Sequence, residues 1–353
     1  MANAIRRGKV WQYEISYKKP DGKYAKKRKS GYRTKKEALR AGQEMELELQ
    51  QGENHKHQDM LLADYFEQWM ELYKKPLVSE ITYRQYVTTQ KTIAKLFPMT
   101  TLNSLTKSEY QSVLNQYAQT HVKDTVRKLD IRIKACLEEA VEAKIINNNP
   151  ARKSVVTGNN HSKPSSEKYI NYTDLNKLID HLLKYATHSS HHILLIAALT
   201  GARFSEILGL TWDCVNLEAK TITINKTWLY KLTTPTFAPT KNGENRTIAI
   251  SQKLAQFLAD LPRNGERVIN IPVTPEAVNK SLSAQLKHLK ITPIITCHGL
   301  RHSHASALLL HNVNILSIAE RLGHKDVSVT QNTYAHIVKE LRAKDQDLIN
   351  SIF

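Results

Sequence analysis

Histidine, arginine and tyrosine recur at close spacing between Thr296 and Ala335. The stretch reads Thr296-Cys297-His298-Gly299-Leu300-Arg301-His302, then Leu322-Gly323-His324, then Asn332-Thr333-Tyr334-Ala335. An arginine offers a rigid fork of N–H donors that fits two phosphate oxygens at once. A histidine donates a hydrogen bond or moves a proton near neutral pH. A tyrosine hydroxyl can attack phosphorus and form a covalent ester. These residue types together suit phosphoryl transfer through an enzyme-linked phosphotyrosine.

Further upstream stand Thr200-Gly201-Ala202-Arg203-Phe204-Ser205-Glu206 and Pro239-Thr240-Lys241-Asn242-Gly243. The order along the chain is therefore Arg203, Lys241, His298-x-x-Arg301, Leu322-Gly323-His324 and Tyr334. In this order and spacing the set resembles the tyrosine recombinase family, most closely the lambda-type integrases of phages and integrative elements. The resemblance implies site-specific DNA strand exchange without metal or high-energy cofactor. It assigns Arg203 and Arg301 to the non-bridging oxygens of the scissile phosphate; Glu206, one helical turn after Arg203, is spaced to orient it. Tyr334 would attack in line, giving a 3′-phosphotyrosine and a free 5′-hydroxyl. A phenol of pKa about 10 needs a nearby base and a cationic field to do this at neutral pH. His298 is the candidate base or proton shuttle, Lys241 the acid for the departing oxygen, and His324 a hydrogen-bond donor to the phosphate. Two rivals share these residues: a type IB topoisomerase-like relaxing enzyme, and a non-catalytic DNA-binding protein on a recombinase fold. The N-terminal module and the tail described below argue against the first, and the full residue set against the second.

The i, i+4 spacing of His298 and His302 would also suit a metal. No acidic or cysteine ligands accompany them, and Arg301 would put a positive charge beside the cation, so no metal site is expected. His302 and His304 read as packing or supporting groups, and Cys297 as packing.

These residues need elements to position them. A chain of 353 residues predicts two or three domains. Its formal net charge of +18 points to a polyanionic partner, usually nucleic acid. No apolar run is long enough to span a bilayer, and Met1 to Arg7 has no signal-peptide pattern. Three cysteines, Cys136, Cys214 and Cys297, are too few for a disulfide framework, which points to a reducing cytoplasm and, with the resemblance, to a bacterial nucleoid.

The expected architecture is multidomain and mainly α with small β-sheets. Residues 1–53 should form a sheet-plus-helix module. Its first 36 residues hold thirteen Lys and Arg against two acids. Trp11, Tyr13, Ile15 and Tyr17 alternate as a half-buried strand, Pro20-Asp21-Gly22 turns, and a second strand covers Lys23 to Lys29. Thr34-x-x-Glu37 is a capping box opening a helix with Ala38, Ala41, Met45 and Leu49 on one face. The resemblance makes this module a binder of arm sites, with Lys26, Lys27, Arg28 and Lys29 as candidate contacts. Residues 51–58 read as a linker, with no metal role for His55 and His57.

Residues 60–152 should form a four-helix core-binding bundle. One stripe is Leu61, Leu62, Tyr65, Phe66, Trp69 and Leu72, and a second capping box is Thr106-x-x-Glu109. A long helix from Val122 to Ile145 stops at Asn149-Pro150. Lys91, Lys95, Lys123, Arg127, Lys128 and Lys134 are its candidate DNA contacts. Residues 152–168 link it to a mixed α/β catalytic domain, 168–353. There Arg203 should sit in the turn between two helices, Lys241 in the loop before a returning strand, and Gly323 at a helix end. Beyond Tyr334, a stripe of Ile337, Leu341, Leu348 and Ile352 predicts a tail helix that docks in cis or on a neighbour. The implied partners are double-stranded DNA at core and arm sites and further copies of the chain as a tetramer. The resemblance also admits a host bending factor and an excisionase.

Overall fold

The computed structural model describes residues 2–18, 24–159, 164, 167–241 and 243–334, with the backbone alone at 18, 47–58 and 332. The turn at 20–22, Asn242 and the tail stripe lie outside the described residues. The chain divides into two units, Met1–Ser162 and Lys163–Phe353.

The N-terminal module is an antiparallel sheet of β1 (Asn3–Arg7), β2 (Val10–Lys18) and β3 (Tyr24–Tyr32), in that order, with the helix α1 (Lys35–Gln58) against it. Strand β1 was not legible from periodicity, because only Ala4 of its five residues is buried. It is placed by pairing, from Asn3 opposite Glu14 to Arg7 opposite Val10, across a turn where Gly8 takes φ +60°. Tyr13 and Ile15 are buried toward α1. Gly42 lets the helix approach closely: a Cβ there would meet Tyr13 Cβ at 3.0 Å. The capping box forms as expected, with Glu37 N–H donating to Thr34 Oγ1 at 3.2 Å and Thr34 N–H to Glu37 Oε2 at 3.3 Å. The expected linker at 51–58 is instead the last two turns of α1. That segment is polar but has no proline, and one helical glycine costs only about 1 kcal/mol.

Register divides the basic residues of β3. Arg28 stands opposite Glu14 and Lys26 opposite Ser16, on the face turned away from Tyr13 and Ile15. Both bond the Glu14 carboxylate, at 2.5 and 2.8 Å, and hold its pKa below the usual carboxylate range. Lys27 and Lys29 pair with Ile15 and Tyr13 and share the opposite face.

The bundle comprises α2 (Leu62–Trp69), α3 (Glu80–Leu96), α4 (Lys107–Ala118) and α5 (Lys123–Glu142). Phe66, Trp69 and Tyr86 pack with ring centroids 5.3 to 6.5 Å apart, alongside buried Tyr65, Tyr110, Ile133 and Leu137. Leu72 leaves the predicted stripe and is 68% exposed. A π-turn at Met70–Lys74 shifts the helical register, so Met70 is buried in its place. The second box is half formed: Thr106 caps Glu109 N–H at 3.2 Å, but the Glu109 carboxylate accepts from Thr100. Lys134, Arg127 and Lys128 each pair with an acid one turn back, Lys134 with buried Asp130 and the others with Asp124. Lys91, Lys95 and Lys123 are exposed.

The second unit is built round α7 (Ser189–Thr200), whose Ile193 to Ala198 are all buried. A helix apolar on every side belongs at the centre of a core. The unit's other elements are α6 (Tyr172–Tyr185), α8 (Phe204–Leu208), a sheet of β4 (Val215–Asn216), β5 (Thr221–Ile224) and β8 (Arg246–Ala249), the separate pair β6 (Lys226–Trp228) and β7 (Phe237–Pro239), α9 (Gln252–Ala259), α10 (Pro275–His288), α11 (Cys297–Leu310), α12 (Ile315–Leu322) and α13 (Val327–Thr333). The alternation expected from Thr221 to Leu232 is thus two strands in two sheets. Among the described residues, no helix is long and apolar enough to cross a membrane.

Asp130 is the polar tie of the bundle. It accepts from Tyr110 Oη at 2.9 Å and Ser154 Oγ at 2.6 Å, and pairs with Lys134 Nζ at 2.8 Å. Asp130→Ala would strand a buried phenol. Urea denaturation of the full chain is expected to lose about 3 kcal/mol. An unshifted midpoint would mean that these donors find other partners.

Candidate active site

Two helices end on left-handed glycines, and the site is built on their last carbonyls. Gly201 ends α7 at φ +70° and Gly323 ends α12 at φ +66°. At the second, Gly323 N–H donates to Glu320 O and His324 N–H to Ala319 O, the paired bonds of a Schellman end. Neither glycine has room for a side chain. A Cβ at 201 would meet Leu322 Cδ2 at 2.8 Å, and one at 323 would meet Arg246 Nη1 at 2.7 Å.

Arg301 comes from α11. Thr296 caps this helix, accepting from Gly299 N–H at 3.3 Å, and Asn279 Oδ1 takes Cys297 N–H at 2.8 Å. The Arg301 guanidinium is almost sealed from solvent. It donates to Gly201 O at 2.8 Å and Leu322 O at 2.6 Å, joining both helix ends. Burial, then the neighbouring Arg203 charge, brings its pKa down to about 9, so it stays cationic at neutral pH. Arg203, at the N-terminus of α8, donates to Gly323 O at 3.2 Å and Glu206 Oε1 at 2.8 Å. Glu206 does more than the one-turn spacing implied. Its fully buried carboxylate also accepts from Arg246, at 3.2 and 2.7 Å. Burial pushes the Glu206 pKa up, but Arg246 and Arg203 outweigh it and the net direction is down.

Tyr334 follows α13 and is buried among Ala305, Leu309, Ile318 and Leu322. Burial raises its phenol pKa, and the Arg301 charge only partly offsets this. Its hydroxyl lies 3.0 Å from His302 Nδ1. His324 Nδ1 lies 2.7 Å from the hydroxyl of fully buried Thr330. With Thr330 donating, the neutral ring carries its proton on Nε2. Burial and then Arg301 lower the pKa of His298, whose ring also reaches solvent. Burial and neighbouring cations bring His302 and His324 down to about 4.

The structure therefore brings together Arg203, Glu206, Arg301, His324 and Tyr334, with His298 beside them. It does not join Lys241 to them. Lys241 is exposed in the turn after β7, and among the described residues no hydrogen bond links it to the cluster. Cys297 is buried as expected, its thiol pushed up to about 12. His304 is a packing residue: Nδ1 meets Ala198 O at 2.9 Å and Nε2 accepts from Arg321 at 3.0 Å. Sequence reasoning missed Arg246, which reaches Glu206 40 residues away and the Arg321 carbonyl, and Arg321, which reaches the His304 ring 17 residues away and the carbonyls of Leu199 and Ala249. It read His302 as a packing or supporting group and did not find its partner, the Tyr334 hydroxyl. Among the described residues, no cluster of three His, Cys, Asp or Glu is placed to hold a metal.

The sequence pattern of the phage integrase family fits residues 168–340, and that of an arm DNA-binding domain fits residues 5–49. The integrase of Staphylococcus phage L54a is 26% identical over 294 residues, spanning 71% of this chain and 81% of its own length. A XerC-like tyrosine recombinase of Caldanaerobacter subterraneus is 24% identical over 394 residues, spanning 99% and 98%. The Tn1549 transposon integrase, solved with transposon right-end DNA, matches the fold with a TM-score of 0.68 at 16% identity, over 82% of this chain and 100% of that one.

Glu206→Gln would leave two guanidiniums without their shared carboxylate. Breaking such a buried pair costs about 3–5 kcal/mol, read as a lower urea midpoint for the full chain; a wild-type midpoint would remove Glu206 from this role. Stability should also fall with acid. His302, His324 and His304, the last down to about 3, bind protons less readily folded than unfolded, where histidine titrates near 6.5. Their contribution is whole above about pH 6.5 and is lost as pH falls toward 4. Melting at pH 5 should come below melting at pH 7.5; equal values would contradict the burial of these rings.

Proposed function

This chain belongs to the tyrosine recombinases of the lambda-integrase type, and from that premise we propose which side chains carry its site-specific DNA recombination. The observation that carries the reading is convergence on one turn. Arg301 bonds Leu322 O, Arg203 bonds Gly323 O, His324 follows, and Tyr334 packs on Leu322. Each of the two guanidiniums spends two side-chain donors on the protein and keeps others for phosphate oxygens. Arg203, Arg246 and Arg301 surround one carboxylate, so the site is short of negative charge in a poorly solvated place. A phosphodiester supplies it, and charge growing on its oxygens in the transition state is stabilised further.

In this reading Tyr334 Oη attacks phosphorus in line and the 5′-oxygen leaves. The ester stores the bond energy, so a partner strand's 5′-hydroxyl reverses the step without ATP. His324 Nε2–H donates to a phosphate oxygen, and His298 shuttles protons at the solvent side. Lys241, exposed in the turn after β7, protonates the leaving oxygen. Residues 168–353 carry this chemistry, 60–152 hold the core site, and 1–53 the arm sites. The open sheet face with Lys26 and Arg28 suits DNA better than the face of Lys27 and Lys29, which α1 occupies. Exchange between two duplexes breaks four strands and each chain has one Tyr334, which favours a tetramer on double-stranded DNA in the host cytoplasm.

Tyr334→Phe should abolish covalent protein–DNA adducts on a denaturing gel while DNA is still shifted on a native one. Adducts that survive this change would remove Tyr334 from the mechanism. Offered two sites on separate plasmids, the wild type should yield recombinants, whereas relaxation alone would favour a topoisomerase.

A further inference from the structure

The hydroxyl of Tyr334 has one side-chain partner among the described residues, His302 Nδ1 at 3.0 Å. His298, one turn earlier on α11, makes no such bond. Its ring stands edge-on to His302, 5.0 Å between centroids. The His302 ring in turn lies edge-on to the Tyr334 ring at 5.9 Å. The Tyr334 backbone is tied as well, its N–H donating to Thr330 O at 3.0 Å, so the phenol and imidazole are held from both ends.

Resting on the phosphotyrosine reading above, we propose that His302 is a catalytic residue of the cleavage step, holding the Tyr334 hydroxyl through Nδ1 and taking its proton as Oη bonds to phosphorus. The Oη–P bond forms and the P–O5′ bond breaks. The phenolic proton passes to His302 Nδ1, and the Lys241 ammonium gives a proton to O5′. Resealing runs both transfers backward, and no electrons are exchanged with any other group.

The groups acting on the ring are His298 and Arg301 from its own helix, Lys168 from the segment before α6, His324 after α12 and Tyr334 after α13. None is a carboxylate. Burial and these neighbours keep the imidazole neutral at pH 7, with a lone pair to accept a proton. With the Tyr334 hydroxyl donating, Nδ1 accepts and Nε2 carries the hydrogen. So weak a base does not ionise the phenol beforehand. Transfer belongs to the transition state, when phenolate charge is already passing onto phosphate oxygens. His298 is thereby left for the phosphate and solvent side.

The test uses the full chain and a nicked duplex carrying the element's own end junction, so that the released fragment diffuses away and the adduct accumulates. Wild type, His302→Asn, His302→Ala and Tyr334→Phe are compared from pH 7 to 9. Asn keeps an acceptor near the Nδ1 position and guards against a packing fault in the Ala variant. Both His302 variants should shift DNA like wild type but form adduct about 10²–10³-fold more slowly at pH 7. Their rates should climb about tenfold per pH unit, as the phenolate fraction grows, while the wild type stays nearly flat. His302→Asn cleaving at the wild-type rate, or slowly with the wild type's flat profile, would overturn the proposal. If Tyr334→Phe abolishes adducts in the same experiment, the functional reading survives that result; if it does not, the reading itself falls.

Discussion

One carboxylate decides where the cations stand. Glu206 Oε1 accepts from the Nη1 atoms of Arg203 and Arg246, and Oε2 from Arg246 Nη2 at 2.7 Å and from the Arg203 backbone N–H at 2.9 Å. A buried ion is tolerated only when excellent geometry offsets its desolvation. Here every direction round the carboxylate is used. The consequence is mechanical as well as electrostatic. The link ties α8 to the first residue of β8, so the strand that follows the Lys241 turn is fixed to the helix that carries Arg203.

The guanidiniums also answer a backbone problem. The last carbonyls of a helix have no partner within it, and the helix dipole makes that end negative. Arg301 takes Gly201 O and Leu322 O, Arg203 takes Gly323 O, Arg246 takes Arg321 O at 2.8 Å, and Arg321 takes Leu199 O at 3.3 Å. Four arginines thus staple the C-termini of α7 and α12 together. Residues more than a hundred positions apart reach one place because both helices stop on glycines narrow enough to let the cations in. The same staples hold α12 under Tyr334, whose ring rests on Leu322.

Residue type and local spacing made much of this legible. Thr200-Gly201 before Arg203, and Leu322-Gly323 before His324, are helix-end signals that need only the chain's own neighbours. The cap at Thr296 that aims His298 and Arg301 came only with the structure. What could not be read was set at long range. Arg246 looks like any strand residue until β8 pairs with β5 and turns it onto Glu206. His302 reads only as a packing or supporting group until the end of α13 brings a phenol to it. The helix over residues 51–58 and the π-turn that exposes Leu72 fail for a related reason: polar composition and regular period are averages that one turn of real backbone can escape. Lys241 fits its motif by type, but it is a long side chain on an exposed turn, and among the described residues no hydrogen bond fixes its position.

The charge state of the site bears on how it resists idle chemistry. Burial and cations leave His298, His302 and His324 poor bases, while burial leaves Tyr334 a poor acid. Proton transfer between them without DNA is uphill on both counts. A bound phosphodiester changes one side of that balance: its negative charge among Arg203, Arg246 and Arg301 makes every nearby imidazole more basic. It does not make free phenolate easier, because the same charge offsets the Arg301 field that would stabilise it. In the proposed step, phenolate charge is instead consumed as Oη bonds to phosphorus and would spread onto oxygens held by the guanidiniums. In the mechanism proposed above, Tyr334 is therefore competent only with a phosphate in place, which suits a chain whose excess positive charge favours contact with DNA at many positions.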